Sequence, residues 1–488
     1  MKILIAGSEM SPLVKTGGLG DVLGSLPEAL HKLGNDVRMF LPFYSLISKL
    51  KPKTQTILSE ASLRLPSGEV EYRVELLLDR NSSIGQFLIV SDMFFGREGI
   101  YFDPATNSDY ADNDERYAFF CRAILDSVQK QNWQPDIIHV NDWHTSLIAV
   151  YLKTNEKNNK FFEATRTVLT IHNMAYQGKF DKERFELLGL PHELINASGA
   201  MESCGQTNFL KGGISFSDKI VTVSETYARE IQNDQGCGLE RLLKERSSDL
   251  CGIINGVDYS VWNPARDRHI FAPYQISNLS GKKVNKIELL NEIGLPVRSQ
   301  VPLIGLVTRL VEQKGIGLIL ECSRKLFECN IQMVILGTGE KKLEQELAAL
   351  SVQYPDKLKT FFEFNEVLAH KIEAAADIFL MPSMFEPCGL NQMYSFKYGT
   401  VPVVHKVGGL VDTVTEFDPV TGEGNGFLFD KFNSNSMLAA LNRATLLYQK
   451  KRIWTKLMKN GMKLDLSWNK SARSYHELFI NLLDGGDK

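Results

Sequence analysis

The segment PSMFEPCGL at residues 382–390 carries one carboxylate, Glu386, between two prolines. The apolar run DIFLM before it predicts a buried strand, and a helix is predicted to begin near Asn391 and to end before Gly399. In open α/β sheets ligands bind where strands end and helices begin, and the free N–H groups of a helix start favour an anion. Glu386 is therefore a candidate catalytic residue, although this segment alone leaves open an ordinary solvated carboxylate.

A glycine-rich loop, KTGGLGD at residues 15–21, joins the first predicted strand to the first predicted helix. Lys15 supplies a mobile cation, and Gly17, Gly18 and Gly20 are expected to turn the backbone with positive φ so that a ligand can approach closely. The loop contains neither the GK[ST] of a Walker A sequence nor a GxGxxG dinucleotide fingerprint. It predicts a phosphate or sugar cradle, with an ordinary tight turn as the alternative.

Polar side chains also follow two later predicted strands of the same half. Asp142 lies in HVNDWH, and His172 and Asn173 lie in IHNMAYQG. Carboxylate, amide and imidazole groups suit the recognition of sugar hydroxyls. A metal site is disfavoured because neither segment has HExxH or a comparable ligand spacing, and each histidine could also be a structural residue.

Two cations follow a predicted strand of the second half. Arg309 comes directly after VPLIGLVT, and Lys314 follows five residues later. Fixed cations at a strand end could neutralise a leaving diphosphate through charge-assisted hydrogen bonds without a metal. A pair of solvated surface charges is the alternative.

These residues must be positioned by two successive series of strands and helices. The first series has the predicted strands KILIA, DVRMFLP, DIIHV, TVLTI and DKIVTV, with VEYRVELLLD and GQFLIVSD in an irregular insertion at residues 44–110. The second has VPLIGLVT, QMVILG, KTFFEF, DIFLM, VPVVH and NGFLF. The pattern predicts an α/β protein with two doubly wound Rossmann-like domains that face each other across a cleft.

Composition limits the function classes. The 488 residues are 43% hydrophobic, which allows a large core in two or three domains. The net charge of −3, from 55 basic and 58 acidic residues, gives no bulk field that favours nucleic acid or an anionic membrane. No apolar stretch is long enough to span a bilayer, and no signal-peptide pattern is present, so a cytoplasmic location is expected. Seven scattered cysteines without CxxC argue against disulfides and zinc, and most are expected to be reduced core residues.

Several motifs together resemble a known family. The segments KTGGLGDV, HNMAYQG, INGVDYSVWNP, TRLVEQKG, FEPCGLNQMYSFKYGTVPVV and VGGLVDTV occur in the order and spacing of bacterial glycogen synthases and plant starch synthases. The resemblance implies a GT-B fold with domains at 1–258 and 259–464, and a C-terminal helix at 465–488 that crosses back to the first. It also implies a retaining glucosyltransferase that uses ADP-glucose as donor, with UDP-glucose as the alternative, and an α-1,4-glucan as acceptor, with no cofactor or metal.

The resemblance also implies roles for individual residues. The catalytic set that it implies is Glu386, His172, Arg309, Lys314 and Lys15. Glu386 would bind the donor glucose and stabilise positive charge at its anomeric carbon, while Arg309 and Lys314 would bind the diphosphate. The further substrate-binding residues implied are Gly17, Gly18, Asp21, Asp142, Asn173, Asn255, Cys388, Gly389 and Leu390.

Besides Thr308 of TRLVEQKG, which stands where the family has serine, three positions depart from the family pattern. Met384 stands where the family has arginine, and Asn391 and Val407 stand where it has threonine. The departures remove none of the implied catalytic groups, but they leave the donor base and the rate open. The sequence also leaves open acceptor length, regulation and oligomeric state.

Three other functions are alternatives. A glucan phosphorylase shares the architecture, but it needs pyridoxal phosphate on a lysine and belongs to a longer family. A catalytically inactive glucan-binding scaffold is disfavoured because Lys15, Arg309, Lys314 and Glu386 are all present. A nicotinamide dehydrogenase is disfavoured by the absence of GxGxxG followed by an acidic residue.

Overall fold

A computed structural model describes residues 1–106 and 108–485 of this chain. The chain divides into two units, one formed by Met1–Gly256 with Trp468–Lys488 and the other by Val257–Ser467. The sequence put the corresponding limits after residues 258 and 464, and the last three residues of the predicted 465–488 segment lie outside the described part.

The first unit is built on a mainly parallel sheet of short apolar strands. The strands of this unit are β1 (Lys2–Ala6), β2 (Asp36–Pro42), β3 (Thr54–Leu65), β4 (Gly68–Leu77), β5 (Gly85–Val90), β6 (Phe102–Asp103), β7 (Ser108–Asp109), β8 (Ile137–Asn141), β9 (Arg166–Ile171), β10 (Lys179–Asp181), β11 (Glu202–Ser203), β12 (Gln206–Asn208), β13 (Lys219–Thr222) and β14 (Leu250–Gly252). The main sheet has the order β14-β13-β9-β8-β1-β2-β5-β4-β3, with β4 and β3 antiparallel at one edge.

Helices connect the parallel strands of this unit. They are α1 (Gly18–His31), α2 (Ser45–Lys49), α3 (Asp92–Phe95), α4 (Asn113–Lys130), α5 (Asp142–Lys153), α6 (Phe209–Phe216), α7 (Glu225–Glu230) and α8 (Glu240–Glu245). Strands β8 and β9 are almost fully buried, as expected for parallel strands that are covered by helices on both faces.

The second unit has one parallel sheet with the order β17-β16-β15-β18-β19-β20. Its strands are β15 (Leu303–Val307), β16 (Gln332–Leu336), β17 (Leu358–Phe361), β18 (Ile378–Met381), β19 (Val401–His405) and β20 (Phe427–Phe429). Its helices are α9 (Ser280–Glu292), α10 (Ile316–Glu321), α11 (Ser323–Glu328), α12 (Lys341–Gln353), α13 (Glu366–Ala375), α14 (Asn391–Tyr398), α15 (Gly408–Thr413), α16 (Ser434–Tyr448) and α17 (Lys451–Met462).

The last helix, α18 (Trp468–Asp484), packs within the first unit. Tyr475 shares a hydrogen bond of 3.3 Å with Thr170 of β9, and Asn35 donates a hydrogen bond of 3.1 Å to His476. Buried Phe479 adds an apolar contact to the same face of the helix. The first unit is therefore completed by the C-terminal segment of the chain.

The order of strands reverses once in each parallel sheet. In the first unit the chain runs from β1 outward to β2 and β5, and then returns to place β8 on the other side of β1. In the second unit β16 and β17 lie on one side of β15, and β18, β19 and β20 lie on the other. Loops that follow the two strands at such a reversal leave the sheet in opposite directions, so a crevice opens at their carboxyl ends.

The structure can be compared with the sequence predictions about cysteines and about membrane-spanning helices. All seven cysteines are free, but Cys121, Cys322 and Cys388 are the buried ones, while Cys204 and Cys237 are exposed in turns. The expectation that most are core residues is therefore wrong. Among the described residues, no helix is long and apolar enough to cross a membrane.

A buried ion pair ties α9 to the central strands of the second unit. Lys286 donates hydrogen bonds to Asp377 at 2.6 Å and to the carbonyl oxygen of Val301 at 2.6 Å. The same carboxylate oxygen of Asp377 accepts the backbone N–H of Leu303, at the start of β15. The lysine and aspartate side chains are 6% and 13% exposed, so neither charge can be left without a partner at low cost.

We expect Lys286→Met to destabilise the second unit by about 3–5 kcal/mol, because it leaves the Asp377 carboxylate buried without its partner. Urea unfolding followed by circular dichroism measures the change. Lys283→Met, at an exposed position of the same helix, is the matched control and should unfold like the wild type. Equal stability of the two variants would contradict the proposed role of the ion pair.

Candidate functional site

The loop after β1 has its predicted cation paired with a carboxylate. Lys15 donates to Asp21 at 2.6 Å, and Asp21 lies in the first turn of α1. The Lys15 side chain is 36% exposed, so its ammonium group can also reach a ligand. Gly17 is the N-cap residue of α1, which makes no side-chain cap hydrogen bond. An uncapped helix start next to a lysine is suited to bind an anion.

The predicted positive φ of the glycines in this loop is wrong. Gly17 has φ −160°, which is extended backbone, and Gly18 and Gly20 lie within α1. Glycine is instead used here for space, because a Cβ on Gly20 would lie 3.0 Å from the side chain of Lys15. A Cβ on Gly17 would meet nothing within 4 Å, so the backbone of the loop is open to a ligand at that point.

Glu9 holds this loop, and the sequence analysis missed it. Its carboxylate accepts the backbone N–H of Thr16 at 2.7 Å, the hydroxyl of Thr16 at 2.5 Å and the backbone N–H of Gly17 at 3.2 Å. Tyr101 donates to the same carboxylate at 2.6 Å. Glu9 is 3% exposed and follows a buried strand, which is the same signal that drew attention to Asp142.

Asp142 connects the ends of β8 and β9. It has φ +54°, a left-handed conformation that is uncommon for residues other than glycine. Its carboxylate accepts the backbone N–H of His172 at 2.8 Å. Asn141, the last residue of β8, donates its amide to the carbonyl oxygen of Ala6 in β1 and faces His172 with its amide oxygen at 3.0 Å. The structure therefore brings Asp142 and His172 together at the carboxyl ends of neighbouring strands.

Burial controls the protonation of these two side chains. Desolvation lowers the pKa of His172 to about 3, so the imidazole is neutral at pH 7. Since the oxygen of Asn141 accepts, the proton of this neutral ring lies on Nε2. Desolvation also raises the pKa of Asp142 to about 7, although the N–H groups of His172 and Asn173 oppose that rise. His172 can thus take part in hydrogen bonding but cannot supply a positive charge.

Two amides complete the predicted residues of the first unit. Asn173 is half-buried, and its oxygen accepts the backbone N–H of Ala175 at 3.0 Å. Asn255 is 5% exposed, and its side-chain oxygen has no hydrogen-bond partner among the described residues. A buried acceptor without a donor is costly, so it is suited to a ligand hydroxyl.

In the second unit, the predicted carboxylate and one predicted cation form an ion pair. Lys314, in the loop after β15, donates to Glu386 Oε2 at 2.6 Å, and Ser383 donates to the same oxygen at 2.8 Å. The side chains of Lys314 and Glu386 are 16% and 10% exposed. Arg309 is exposed at the end of β15. We call Lys314, Ser383 and Glu386 the Glu386 cluster; Ser383 was not predicted from the sequence.

Close backbone contact joins the loops after β15 and β18. Gly315 has φ +69°, and a Cβ there would lie 2.0 Å from the carbonyl oxygen of Pro382. Met384 donates its backbone N–H to the carbonyl oxygen of Gln313 at 2.8 Å, and the Gln313 amide donates to Phe385. These contacts place Lys314 beside Glu386, as the reversal of strand order between β15 and β18 requires.

The predicted helix after Glu386 is confirmed, and its start is open to an anion. Helix α14 begins at Asn391, and its N-cap residue Leu390 makes no side-chain cap hydrogen bond. Gly389 has φ +71°, and Cys388 before it is buried. The turn from Cys388 to Leu390 therefore leads into backbone N–H groups that no side chain caps.

The departures from the family pattern have different structural consequences. The Asn391 amide donates to the carbonyl oxygen of Val307 at 2.6 Å, which ties the start of α14 to the end of β15. Val407 is the N-cap residue of α15 and packs against an apolar cluster that includes Phe379 and Met381. Met384 contributes the backbone hydrogen bond to Gln313 described above. None of the three replaces a member of the Glu386 cluster.

Two family models match this chain. One, described as a starch synthase catalytic domain, matches residues 2–245, and the other, described as glycosyl transferases group 1, matches residues 293–460. The two matches correspond to the first and second units. Within the described residues, no group of three or more His, Cys, Asp or Glu side chains is arranged to hold a metal ion.

Individual relatives match over the full length. A glycogen synthase of Thermotoga maritima is 42% identical over 489 residues, which cover 99% of each chain. A glycogen synthase of Desulforamulus reducens is 42% identical over 490 residues and all of each chain. The catalytic domain of starch synthase IV from Arabidopsis thaliana, solved with ADP and acarbose, is 32% identical with a TM-score of 0.90 and 99% coverage of both chains.

Because Asp142 is buried, we expect a substitution that removes its charge to stabilise the folded protein, and we expect the gain in stability to depend on pH. Its pKa rises from an ordinary 3.8 to about 7, so between these values the folded chain holds a proton that the unfolded chain has released. The stability contributed by Asp142 therefore falls from about pH 4 to pH 7 and stays lowest above pH 7. Asp142→Asn removes the ionisation, keeps an acceptor for His172 and tolerates positive φ. We expect its Tm at pH 8 to exceed that of wild type by on the order of 2 °C or more.

Differential scanning fluorimetry from pH 4 to 8 measures this difference, which should shrink towards pH 4. Asp234→Asn, at an exposed loop position, is the control and should show no such trend. A Tm of Asp142→Asn below that of wild type at pH 8 would show that the ionised carboxylate stabilises the fold.

Proposed function

Because this chain belongs to the family of bacterial glycogen synthases and plant starch synthases, we propose that it transfers glucose from ADP-glucose to the non-reducing end of an α-1,4-glucan. The anomeric configuration is retained in the proposed reaction. Family membership confirms the predicted GT-B fold class and glycosyltransferase activity. The preference for ADP-glucose over UDP-glucose and the cytoplasmic location stay predictions.

The observation that carries the proposal is the Glu386 cluster at the strand reversal of the second unit. The ion pair of Lys314 and Glu386 lies at this reversal, together with Arg309 at the end of β15 and the uncapped start of α14. A nucleoside diphosphate sugar needs such a set, because negative charge develops on the leaving diphosphate while positive charge develops on the sugar. The starch synthase of Arabidopsis thaliana was solved with ADP, which is a nucleoside diphosphate.

The proposed reaction breaks the bond between the anomeric carbon and the β-phosphate oxygen. ADP leaves with the electron pair of that bond, and Arg309, Lys314 and the N–H groups of α14 stabilise its charge. The 4-hydroxyl oxygen of the glucan forms the new bond on the face from which ADP leaves, and its proton passes to the departing phosphate. Glu386 stabilises the positive charge at the anomeric carbon. Each donor contributes on the order of a few kcal/mol to this stabilisation.

The first unit supplies groups suited to sugar hydroxyls. His172 is neutral and partly buried, so it offers a hydrogen bond without adding a positive charge. The side-chain oxygen of Asn255 has no donor among the described residues, which supports a role for Asn255 as acceptor for a sugar hydroxyl. Lys15, beside the uncapped start of α1, is suited to a phosphate or hydroxyl oxygen. We propose Asp142 and Asn173 as further hydroxyl ligands at the strand ends.

A radiochemical assay tests the function and the role of Glu386 together. Wild-type enzyme, given labelled ADP-glucose or UDP-glucose with glycogen, should incorporate label faster from ADP-glucose. Glu386→Ala should lower kcat by about 10²–10³-fold, because the developing positive charge loses its stabilising carboxylate. The KM for ADP-glucose should change by about threefold or less.

Glu328→Ala is the matched control, since it removes an exposed carboxylate from α11 of the same unit. It should keep the wild-type kcat. No transfer from either donor by the folded wild type would contradict the proposed function, and a Glu386→Ala variant with unchanged kcat would contradict the catalytic role.

A further inference from the structure

One oxygen of Glu386 has two donors of different character. Lys314 Nζ lies 2.6 Å from Oε2, and Ser383 Oγ lies 2.8 Å from the same atom. Oε1 takes neither of these hydrogen bonds. Ser383 is 2% exposed and Glu386 is 8% exposed, so the carboxylate has little access to water that could replace a lost donor.

Ser383 is fixed in place by its surroundings. Its carbonyl oxygen accepts a hydrogen bond of 2.8 Å from Nδ1 of His405, a buried residue at the end of β19. The next residue, Met384, is held through its backbone by Gln313. Because the peptide group between Ser383 and Met384 is anchored through both its carbonyl oxygen and its N–H, the serine hydroxyl can leave Glu386 only by rotation about its single χ1 bond.

Lys314 is the donor that can move. Its side chain is a flexible four-carbon chain, and its ammonium group carries three N–H donors. Among the described residues, it makes one side-chain hydrogen bond, the one to Glu386. An incoming diphosphate carries more negative charge than the carboxylate and offers several acceptor oxygens, so it competes for the same ammonium group.

We propose that Lys314 leaves Glu386 for the diphosphate when the donor binds, and that Ser383 is a positioning residue that holds the Glu386 carboxylate during this exchange. This inference rests on the proposed function, because it requires a diphosphate ligand at the Glu386 cluster. Without Ser383, the departure of Lys314 would leave a buried carboxylate without either of these two donors, which is costly. With Ser383 in place, the carboxylate stays oriented when the cation has moved to the leaving group.

The proposed movement of Lys314 from Glu386 to the diphosphate can be tested by ADP binding alone, without catalysis. In the free enzyme Glu386 holds the ammonium group that ADP requires, so Glu386→Gln should tighten ADP binding by about fivefold. The gain should disappear in the Lys314→Met background, because Lys314 carries the competition. Isothermal titration calorimetry with ADP on the wild type, both single variants and the double variant measures this coupling.

The role of Ser383 is tested by steady-state kinetics. Ser383→Ala should lower kcat by about 10-fold or more, the effect of losing a hydrogen bond to a charged group. Its KM for ADP-glucose and its Kd for ADP should stay within about twofold, because Lys314 and Arg309 remain. Ser383→Cys, which keeps the size and a weak donor, should have an intermediate kcat and provides a second variant if the alanine variant fails to fold.

A matched control comes from the same unit. Ser395 donates to the buried carboxylate of Glu373 at 2.7 Å, so Ser395→Ala removes the same kind of hydrogen bond without touching the Glu386 cluster. It should keep kcat within about twofold even if its Tm falls.

Two results would overturn the inference. If Glu386→Gln raised the affinity for ADP equally with and without Lys314, the gain would come from lost repulsion between the Glu386 carboxylate and ADP, and not from a release of Lys314. A Ser383→Ala kcat equal to that of Ser395→Ala would remove the positioning role. Absence of glucose transfer by the wild type would overturn the proposed function instead, and the ADP titrations would still decide whether Lys314 is exchanged.

Discussion

The reversal of strand order between two neighbouring parallel strands is the constraint on which both sets of candidate residues depend. In the first unit it separates the loop after β1, with Lys15, from the end of β8, with Asp142. In the second unit the loops on either side of the reversal, after β15 with Lys314 and after β18 with Glu386, lie in contact. Residues 72 positions apart in sequence thus form a hydrogen bond of 2.6 Å, because the two strands before them are adjacent.

Charge pairing is the second feature that the two units share. Lys15 is paired with Asp21 in the segment after β1, and Lys314 in the loop after β15 is paired with Glu386 in the loop after β18. Desolvation lowers the pKa of His172, so its imidazole is neutral and adds no positive charge beside Asp142. An anion that binds to either lysine must therefore compete with a carboxylate of the same unit.

The periodicity of the sequence was sufficient to predict the parallel strands other than β14 and the helix after Glu386, because short buried strands alternate with helices of clear apolar pattern. Strand β3 was missed, since its first half has no buried alternating face and its pairing with β4 is irregular at Leu58 and Ala61. The contacts of Glu9 and Ser383 could not be predicted, because they depend on which strands are neighbours. A run of glycines likewise does not distinguish positive φ from a need for space, as Gly20 shows.

The central claim is that the Glu386 cluster binds the diphosphate of a nucleotide sugar, and a crystal structure of the wild type with ADP tests it most directly. The β-phosphate should lie within hydrogen-bonding distance of Arg309 and Lys314 at the start of α14, with Ser383 still bonded to Glu386. A diphosphate bound elsewhere, with Lys314 still paired with Glu386, would contradict the account.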